Sequence, residues 1–424
     1  MDSQSSSVVE AIQDVIARER VVLAPLVGGS DVAYRVLCRR YGARVTFTEM
    51  CVARYWNNAA TRRENLFCFE PTDRPLILQL TDSAAEPIVD MARHDMFRGR
   101  IDALDINLGC PQMVAHKGCF GAYLVELQGV DYVVELVKRV VAGVRPLPVT
   151  CKIRLHKDLA CTTDYVRRLF DEAGAAAVTI HGRFLWQRGS KRGDSDWAAI
   201  DAIKAAMPTR CIIGNGDVRS HAQLLARLAS SRADGVMVGY GALRDPTLFG
   251  AETVPLQRVV QEYIDLARRY PNKLIDVKRH LGWLTKAVCK TKLERFRLFD
   301  AATLDDVVAV LATLDPPLVI ALPPPAERAA DKLVEDRALG EPSADLKPRA
   351  RKRVLKAMRR AVKRRSRNLE KVLEHDAAAK DGKSKRSSGG AKTDDPNGND
   401  SGRDGSGSDA DADDGSERSD EGQG

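Results

Sequence analysis

The 424-residue sequence lacks the features expected of a membrane protein or of a protein built on disulfides. No stretch of about 18 apolar residues is free of charge, which predicts that there is no transmembrane helix. The first 20 residues include Asp2, Glu10 and Asp14 and no apolar run, so they predict neither a signal peptide nor an organelle presequence. The nine cysteines include no CxxC pair, which indicates neither a disulfide framework nor a zinc cluster. We therefore expect a reducing compartment: the cytoplasm, the nucleus or both.

The formal net charge of +8 conceals two blocks of opposite sign. Residues 347–367 contain twelve lysines or arginines and no acid, whereas residues 394–424 contain eleven acids and two arginines. Such blocks are typical of interaction tails and not of folded cores. We expect a basic extension with helical character over residues 323–375 and a disordered acidic tail over residues 376–424.

Eight short apolar segments alternate with amphipathic segments over residues 21–250, as in a parallel sheet covered by helices. No GxGxxG motif follows the first of them, which disfavours a dinucleotide-binding Rossmann fold. Eight strand–helix repeats in about 230 residues fit a (β/α)8 TIM barrel, an α/β fold, and residues 1–20 would precede it as an extension. The predicted strands are Val21–Gly28, Thr46–Met50, Pro75–Leu80, Ala103–Leu108, Val149–Arg154, Ala177–Gly182, Cys211–Gly216 and Gly235–Tyr240.

Helices are predicted from apolar residues that recur every three or four positions. Valines with this spacing predict a helix over Val130–Val144 inside the barrel domain. Beyond residue 250 the pattern is helical only: one helix is marked by apolar residues from Leu256 to Ala267, a second covers Lys273–Lys290, and a third covers Thr303–Leu314. The third has a capping-box pattern, with Thr303 as N-cap and an acid, Asp306, three residues later. We assign residues 251–322 to a smaller, all-helical domain.

Polar side chains interrupt the apolar strands near their carboxyl ends, where the active sites of TIM barrels lie. Lys152 is the most informative, because a lysine is almost never buried unless it is paired. The alternative is a frayed strand from which Lys152 reaches solvent. His181 alone would suit a hydrogen-bonded core histidine, but it is level with Lys152 in the predicted barrel. The polar set comprises Gln79, Asp105, Asn107, Lys152, His181, Asn215 and Asp217.

Two glycine-containing loops follow the last two predicted strands, Gly214-Asn215-Gly216-Asp217 and Gly239-Tyr240-Gly241. TIM barrels often bind phosphate at this place with backbone N–H groups and the start of a short helix. Glycine lets the backbone approach an anion closely. Together the two loops predict a phosphorylated cofactor.

A cysteine stands directly after the fourth predicted strand, between Gly109 and Pro111. A lone cysteine is more often a small buried apolar residue. On a loop past a strand end, however, the thiol of Cys110 can reach a bound ligand. It can act there as a general acid, because a thiol is mostly protonated at neutral pH. Cys119, later in the same loop, is the second candidate.

Taken together, these segments resemble the flavin-dependent tRNA-dihydrouridine synthases over about residues 20–250. The matching motifs are LAPLVGGSDVAYR (residues 23–35), TEM (48–50), DINLGCPQ (105–112), KGCFGAYL (117–124), CKIRL (151–155), TIHGR (179–183), GNGDV (214–218) and DGVMVGYGALRDPTLF (234–249).

The resemblance implies a barrel that binds FMN, a helical domain that binds tRNA, and NADPH as reductant. The flavin N5 would pass hydride to C6 of a uridine and Cys110 would protonate C5 from the opposite face. Lys152 would stabilise the reduced flavin, and Asn107 and Arg183 would bind the substrate. The residues implied to contact FMN are Pro25, Leu26 and Val27 beneath the ring, Gln79 and Lys152 at its pyrimidine edge, His181, and, at the ribityl phosphate, Asn215, Gly216, Asp217, Gly239 and Tyr240.

Two loops depart from the family pattern. Lys117-Gly118-Cys119-Phe120 stands where relatives often have Arg-Gly before a Tyr. The last loop carries Tyr240, which lacks a cationic side chain, so its backbone is the expected phosphate contact. Since no zinc motif or double-stranded-RNA-binding domain follows the barrel, the chain resembles the eukaryotic branch that acts on uridines 16 and 17 of the D-loop. A tRNA-binding monomer is the simplest expectation.

A cluster of cations in the helical region also favours an RNA partner. Eight lysines or arginines lie between Lys273 and Arg297, with Trp283, Phe296 and Phe299 interleaved. The alternative is a solvated helix face over a buried aromatic side. The basic block 347–367 suits tRNA phosphates, nuclear localisation or both.

Two other functions stay open. One is a flavin barrel acting on a free pyrimidine, against which the basic helical region argues. The other is a non-catalytic RNA-binding protein on the same scaffold, against which the intact Cys110, Lys152 and His181 argue.

Overall fold

The computed structural model describes residues 12–57, 67–188, 191–270, 272–324 and 331. Within these ranges a parallel β-barrel surrounded by helices is followed by four further helices. The predicted acidic tail and nearly all of the predicted basic extension lie outside the described residues, and the domain boundaries stay a prediction. None of the helices in the described ranges is both long and apolar enough to cross a membrane.

Nine parallel strands form one sheet that closes on itself. The order is β1-β9-β8-β7-β6-β5-β4-β2, and β3 also pairs with β4, so that β2 and β3 share one of eight positions around the barrel. A bridge between Val22 and Val45 and the bond from Leu23 N to Val45 O (2.9 Å) join the first strand to the second. The predicted TIM barrel is confirmed. The strands are β1 Val21–Leu23, β2 Thr46–Phe47, β3 Cys51–Val52, β4 Leu76–Thr81, β5 Ala103–Leu108, β6 Val149–Leu155, β7 Ala177–Phe184, β8 Ile212–Asn215 and β9 Gly235–Val238.

Three predicted strands end early in the structure, and the bounds of the others agree to within two residues. The strand predicted over Val21–Gly28 ends at Leu23, where a loop begins. The strand predicted over Thr46–Met50 is interrupted after Phe47, because the hydroxyl of Thr48 accepts the backbone N–H of Gln79 (3.0 Å) in place of a ladder bond. The strand predicted over Gly235–Tyr240 ends at Val238, since Tyr240 begins a short helix.

Ten helices of the described chain accompany the barrel strands. The valine-rich helix is confirmed at the predicted bounds, and it buries Val133, Val137, Val140 and Val144 on one face. The helices are α1 Val32–Arg40, α2 Ala53–Asn57, α3 Ala85–Ala92, α4 Met113–Lys117, α5 Ala122–Gln128, α6 Val130–Val144, α7 Leu159–Asp171, α8 Trp197–Ala206, α9 His221–Ser230 and α10 Tyr240–Arg244; a 3₁₀ helix, Pro246–Phe249, follows.

A helical segment, residues 12–19, closes the amino-terminal end of the barrel. Its Ile12 and Ile16 are buried in one cluster with Val22, Val45 and other apolar residues at the starts of the strands. The side chain of Gln13 donates to the carbonyl of Ala176 at 2.6 Å. This end of the barrel is therefore filled by apolar packing.

Four helices follow the barrel: α11 Leu256–Arg269, α12 Leu274–Leu284, α13 Lys292–Asp300 and α14 Leu304–Ala312. The capping box of Thr303 and Asp306 is confirmed. The second helix ends at Leu284, earlier than predicted, and a separate helix, α13, begins at a second capping box formed by Thr291 and Glu294. Weak apolar periodicity on α13 explains why the sequence did not separate it.

Candidate active site

Buried side chains of β4, β5 and β6 form a hydrogen-bonded network inside the barrel. Gln79 donates to Asp105 at 2.8 Å and accepts from the amide of Asn107 at 2.9 Å. The hydroxyl of Thr150 donates to the other oxygen of Asp105 at 2.6 Å. Burial raises the pKa of Asp105 to about 6, although these hydrogen bonds work against it. The network fixes the orientation of the Gln79 and Asn107 amides.

Lys152 lies next to this network on β6. In register it stands between Asn107 on β5 and Thr179 on β7, which excludes a frayed strand. Its ammonium donates to Asn215 Oδ1 at 3.1 Å, and the Asn215 amide donates to the carbonyl of Met237 at 2.8 Å. Burial lowers the pKa of Lys152 to about 8, and the neighbouring charge of Arg154 lowers it further. A cation and an oriented amide are thus held together.

A cavity of about 190 Å³ opens beside Lys152 at the carboxyl ends of the strands. Three of the residues predicted to bind the cofactor or the substrate are not part of its lining. Gln79 and Asn107 lie in the adjacent network, and Val27, with 65% of its surface exposed, follows Pro25 and Leu26 on the first loop, which is the loop after β1. The other predicted cofactor residues meet in the lining, which consists of Ala24, Pro25, Leu26, Lys152, His181, Arg183, Arg192, Asn215, Gly216, Asp217, Val218, Arg219, Met237, Gly239, Tyr240 and Gly241.

Two polar atoms of the lining residues are buried without a hydrogen-bond partner among the described residues: His181 Nδ1 and Arg183 Nη1. Burial, reinforced by the charges of Lys152 and Arg154, lowers the pKa of His181 well below its usual value. Its imidazole is therefore neutral at physiological pH. Because buried polar atoms are rarely left unpaired, these residues suit a bound ligand with several hydrogen-bonding groups.

Cations gather at the end of the cavity formed by the loops after β8 and β9. Arg183 forms an ion pair with Asp217, which also accepts the N–H of Ser195 at 2.7 Å. Burial works to raise the pKa of Asp217, but Arg183 holds it well below its usual range. At Gly216, with a φ of +138°, a Cβ would lie 2.5 Å from that of Ser195, so the turn requires glycine.

The loop after β9 gains positive charge from its neighbours. Tyr240 begins the short helix α10. The guanidinium carbons of Arg192 and Arg244 lie 5.7 Å and 4.9 Å from the centroid of its ring, in cation–π contact. Positive side chains and a helix start suit an anionic group such as a phosphate. The predicted phosphate loops therefore lie in a cationic setting.

The loop that carries Cys110 is fixed by Asn107, whose side-chain oxygen accepts the N–H groups of Gly109 (3.1 Å) and Cys110 (2.9 Å). Burial raises the pKa of the Cys110 thiol, and the charges of Arg154 and Lys152 only partly oppose this. The thiol is therefore protonated at neutral pH. Cys119 has a different environment, since its sulfur lies 3.7 Å from the side-chain nitrogen of Gln128 on α5.

Arg154 is a site residue that the sequence reasoning missed. Its Nε donates to the carbonyl of Gly109 at 3.1 Å and its Nη1 to that of Phe184 at 3.0 Å. It thus joins the Cys110 loop to the end of β7. The signal was available, because Arg154 is two residues from Lys152 and strand residues two apart share a face. Ser195 gave no such signal, as it lies in a loop.

The cationic surface predicted over residues 273–297 is partly wrong. Lys278 is buried and donates to the carbonyl of Ala301 at 2.8 Å, and Arg279 pairs with Asp276 at 2.7 Å. Lys278 thus joins α12 to the end of α13, and the charge of Arg279 is paired within α12. Exposed cations of this stretch are Lys273, Lys290, Lys292 and Arg297.

The family model for dihydrouridine synthase matches residues 22–305, which include the barrel and most of the four helices. The chain belongs to the dihydrouridine synthase family. The resemblance of the sequence motifs to this family is thereby confirmed.

Several relatives in this family carry names that specify a tRNA position. The chain is 34% identical to a tRNA-dihydrouridine(16/17) synthase-like protein of Rattus norvegicus over 301 residues, 70% of this chain and 66% of that protein. It is 30% identical to a tRNA-dihydrouridine(16/17) synthase of Schizosaccharomyces pombe over 285 residues, 66% of this chain and 69% of the other. A human tRNA-dihydrouridine(20a/20b) synthase-like protein is 31% identical over 285 residues, 66% of this chain and 86% of the relative. Less than two thirds of the rat protein is covered.

Proposed function

We propose that this protein is a tRNA-dihydrouridine synthase that reduces the C5=C6 bond of a D-loop uridine in tRNA, at position 16 or 17. One observation carries the proposal: in a member of this family, the Cys110 thiol, with a raised pKa, is carried by a fixed loop near Lys152, which lines a cavity together with His181. Relatives named for positions 16/17 support the choice of uridine.

FMN is the cofactor that we assign to the cavity, with NADPH as reductant, as the NAD(P)+ in the relatives' names supports. When bound, the reduced flavin supplies the hydride that adds to C6 of the uridine. Lys152 provides a cation at the pyrimidine edge of the flavin, and Asn215 orients its ammonium. The unpaired Nδ1 of His181 is a further ring contact.

The phosphate of the cofactor belongs at the cationic end of the cavity. The backbone of Gly216 and Tyr240 would contact it there. The unpaired Nη1 of Arg183 would donate to it as well, so we assign to the phosphate a residue that the family resemblance gave to the substrate, and Asp217 holds Arg183 in place. Gly239 and Asp217 complete the loops, while Pro25, Leu26 and Val27, on the loop after β1, would contact the ring.

Cys110 donates the proton that C5 of the uridine takes up, so that one hydride and one proton saturate the double bond. Its raised pKa keeps the proton on sulfur until the reaction needs it. Asn107 positions this loop through two hydrogen bonds and orients the thiol. The thiolate left behind regains a proton from solvent.

The macromolecular partner is tRNA, bound by a monomer through exposed cations such as Lys292 and Arg297 and through the basic block 347–367. We place the enzyme in the cytoplasm or the nucleus. A purified protein that is yellow, that is bleached by NADPH and that is reoxidised by unmodified tRNA would support all three reactants at once.

Exchange of Cys110 for Ala tests the proposed chemistry. Cys110→Ala should keep bound FMN, its reduction by NADPH and tRNA affinity, because the thiol contacts none of the groups assigned to them. Dihydrouridine formation should fall by roughly 10²- to 10⁴-fold, the usual contribution of a general acid. Single-turnover assays with mass spectrometry of the tRNA measure this rate.

Cys119→Ala is the matched control, since it removes the other thiol of the same loop. It should react at the rate of the unmodified enzyme. Normal turnover in Cys110→Ala, or the loss of turnover in Cys119→Ala alone, would overturn the assignment of the proton donor.

A further inference from the structure

Trp186 is a large apolar side chain that the fold leaves in solvent beside the candidate site. It follows β7 directly, and 63% of its surface is exposed. Its ring is parallel to that of Phe184, with an angle of 8° and 6.0 Å between centroids. Phe184 therefore supports the indole from the protein side, while the rest of the indole is open.

Hydrogen bonds hold Trp186 in a defined turn. The backbone of Phe184 donates to the side-chain oxygen of Gln187 at 2.8 Å, and the N–H of Arg188 donates to the carbonyl of Trp186 at 3.0 Å. An exposed aromatic ring in a fixed turn is pre-organised, so little conformational entropy is lost when a ligand packs on it.

The same turn is attached to the Cys110 loop at two points. Arg154 donates to the carbonyls of both Phe184 and Gly109. Arg188 donates to the carbonyl of Pro111 at 2.9 Å and lies 5.9 Å from the ring centroid of Tyr123. The indole is thus anchored to the loop that carries the proposed proton donor.

The segment that carries this aromatic ring is rich in cations. Residues 183–192 contain four cations, Arg183, Arg188, Lys191 and Arg192, and no acid. Of these, Arg183 and Arg192 line the cavity, while Arg188 and Lys191 are exposed. A rigid exposed aromatic ring among cations is the combination that binds unpaired nucleotides, through base stacking and contacts to phosphates.

We infer that Trp186 is a stacking platform for a base of the tRNA loop next to the uridine that reacts. The inference rests on the proposed function. A uridine within reach of Cys110 brings its neighbours along the RNA chain over the adjoining turn, which is where Trp186 lies. A base adjacent to the target uridine stacks on the indole, and this contact positions the target uridine at the site.

Exchange of Trp186 in the full-length, FMN-loaded protein tests the inference. Trp186→Ala should raise the KM for unmodified tRNA and its Kd by roughly 5- to 150-fold, the range found for loss of one stacked base. Trp186→Phe should recover most of the loss. The salt dependence of Kd should not change, since no charge is removed, and the rate of flavin reduction by NADPH should also stay the same.

Leu225→Ala is the matched control, because it shortens another exposed apolar side chain (52% exposed) on the barrel helix α9. It should leave every one of these values unchanged. Trp186 also reports on binding itself. Trp56 and Trp197 are buried and Trp283 is partly buried, so tRNA should quench a component of the tryptophan emission that is absent from Trp186→Phe.

The possible results separate this inference from the proposed function. If the unmodified enzyme makes dihydrouridine and Trp186→Ala does so with the same KM, only the platform is wrong. If NADPH reduction slows in Trp186→Ala while tRNA affinity is kept, the ring serves the reductant and the inference is overturned. If the unmodified protein makes no dihydrouridine, the proposed function fails. The platform is then upheld by weaker tRNA binding of Trp186→Ala and overturned by equal binding.

Discussion

Lys152 is a cation whose charge depends on pH in the range where enzymes are assayed. Burial lowers its pKa to about 8, so the ammonium of the flavin-free protein is lost progressively above that pH. An acceptor on the bound flavin favours the charged form and raises this pKa on binding. The affinity for FMN is therefore linked to the protonation of Lys152.

The affinity of the flavin-free protein for FMN should be nearly constant between about pH 7 and 8, above the pKa of Asp105 and below that of Lys152, and should fall above pH 8 by up to about tenfold per pH unit. Lys152→Arg, which stays charged, should bind with a nearly flat profile over this range. Lys152→Met, which has no charge, should bind weakly at every pH. Quenching of FMN fluorescence measures the affinities. A profile that declines equally in Lys152→Arg would show that another group titrates.

At the same scale, the sequence predicted those site residues that interrupt apolar strands. Lys152, His181 and Asn215 were identifiable because a polar side chain in a buried parallel strand is unusual. Trp186 and Ser195 were not, since they lie in a loop, where polar and exposed residues are ordinary. Their roles depend on contacts with Phe184 and Asp217 that follow only from the folded chain.

Among the elements, α12 is the helix that joins the helical region to the candidate site. Its His280 is fully buried, 2.5 Å from a carboxylate oxygen of Asp31, the N-cap of α1. The imidazole stacks on Tyr34 at 4.2 Å. At Gly28 a Cβ would lie 2.5 Å from the guanidinium of Arg279, so α12 also packs closely against the first barrel loop. The helix thus supports the loop predicted to lie beneath the flavin.

Removal of His280 should destabilise the protein strongly. His280→Ala leaves the Asp31 carboxylate buried without its partner, and we expect the free energy of unfolding to fall by about 3–5 kcal/mol. Flavin should also dissociate faster, because the first loop loses its support. Denaturant unfolding and the rate of FMN release measure the two effects.

Ile275→Ala on the same helix is the control. Its side chain is partly exposed, so the free energy of unfolding should change far less than in His280→Ala. A decrease below about 1 kcal/mol in His280→Ala would contradict a supporting role for this pair. Sequence alone could not predict the contact, since Asp31 and His280 lie almost 250 residues apart.

For the molecule as a whole, the two densest blocks of charge, the basic residues 347–367 and the acidic residues 394–424, lie outside the described residues. The sequence predicted the barrel architecture from the number of apolar segments. It did not predict the cationic surface proposed to bind RNA, because Lys278 and Arg279 are paired with groups of the helical region itself. The basic block 347–367, with twelve lysines or arginines, therefore offers more cations for binding RNA phosphates than the four exposed cations of residues 273–297.

Exchange of the twelve cations of residues 347–367 for glutamine should weaken binding of all tRNAs alike. The slope of log Kd against log salt should decrease by about one for each phosphate that the variant no longer neutralises. Removal of residues 394–424 is the control, because that acidic block supplies few cations. Binding assays over a range of salt measure both. An unchanged slope in the glutamine variant would assign the phosphate-binding cations to the described helices and barrel.

The helical segment 12–19 has a consequence for the order in which reactants come and go. Within the described residues, Ile12 and Ile16 fill the amino-terminal end of the barrel, so the proposed flavin site opens at the carboxyl ends of the strands. In the proposed reaction, NADPH and the much larger tRNA would then reach the flavin through the same open end of the barrel. The two reactants would therefore bind one after the other. The oxidised coenzyme would dissociate before tRNA binds, and the flavin would stay reduced in between. The helical segment 12–19 thereby favours a double-displacement (ping-pong) mechanism, in which a high concentration of either reactant inhibits binding of the other.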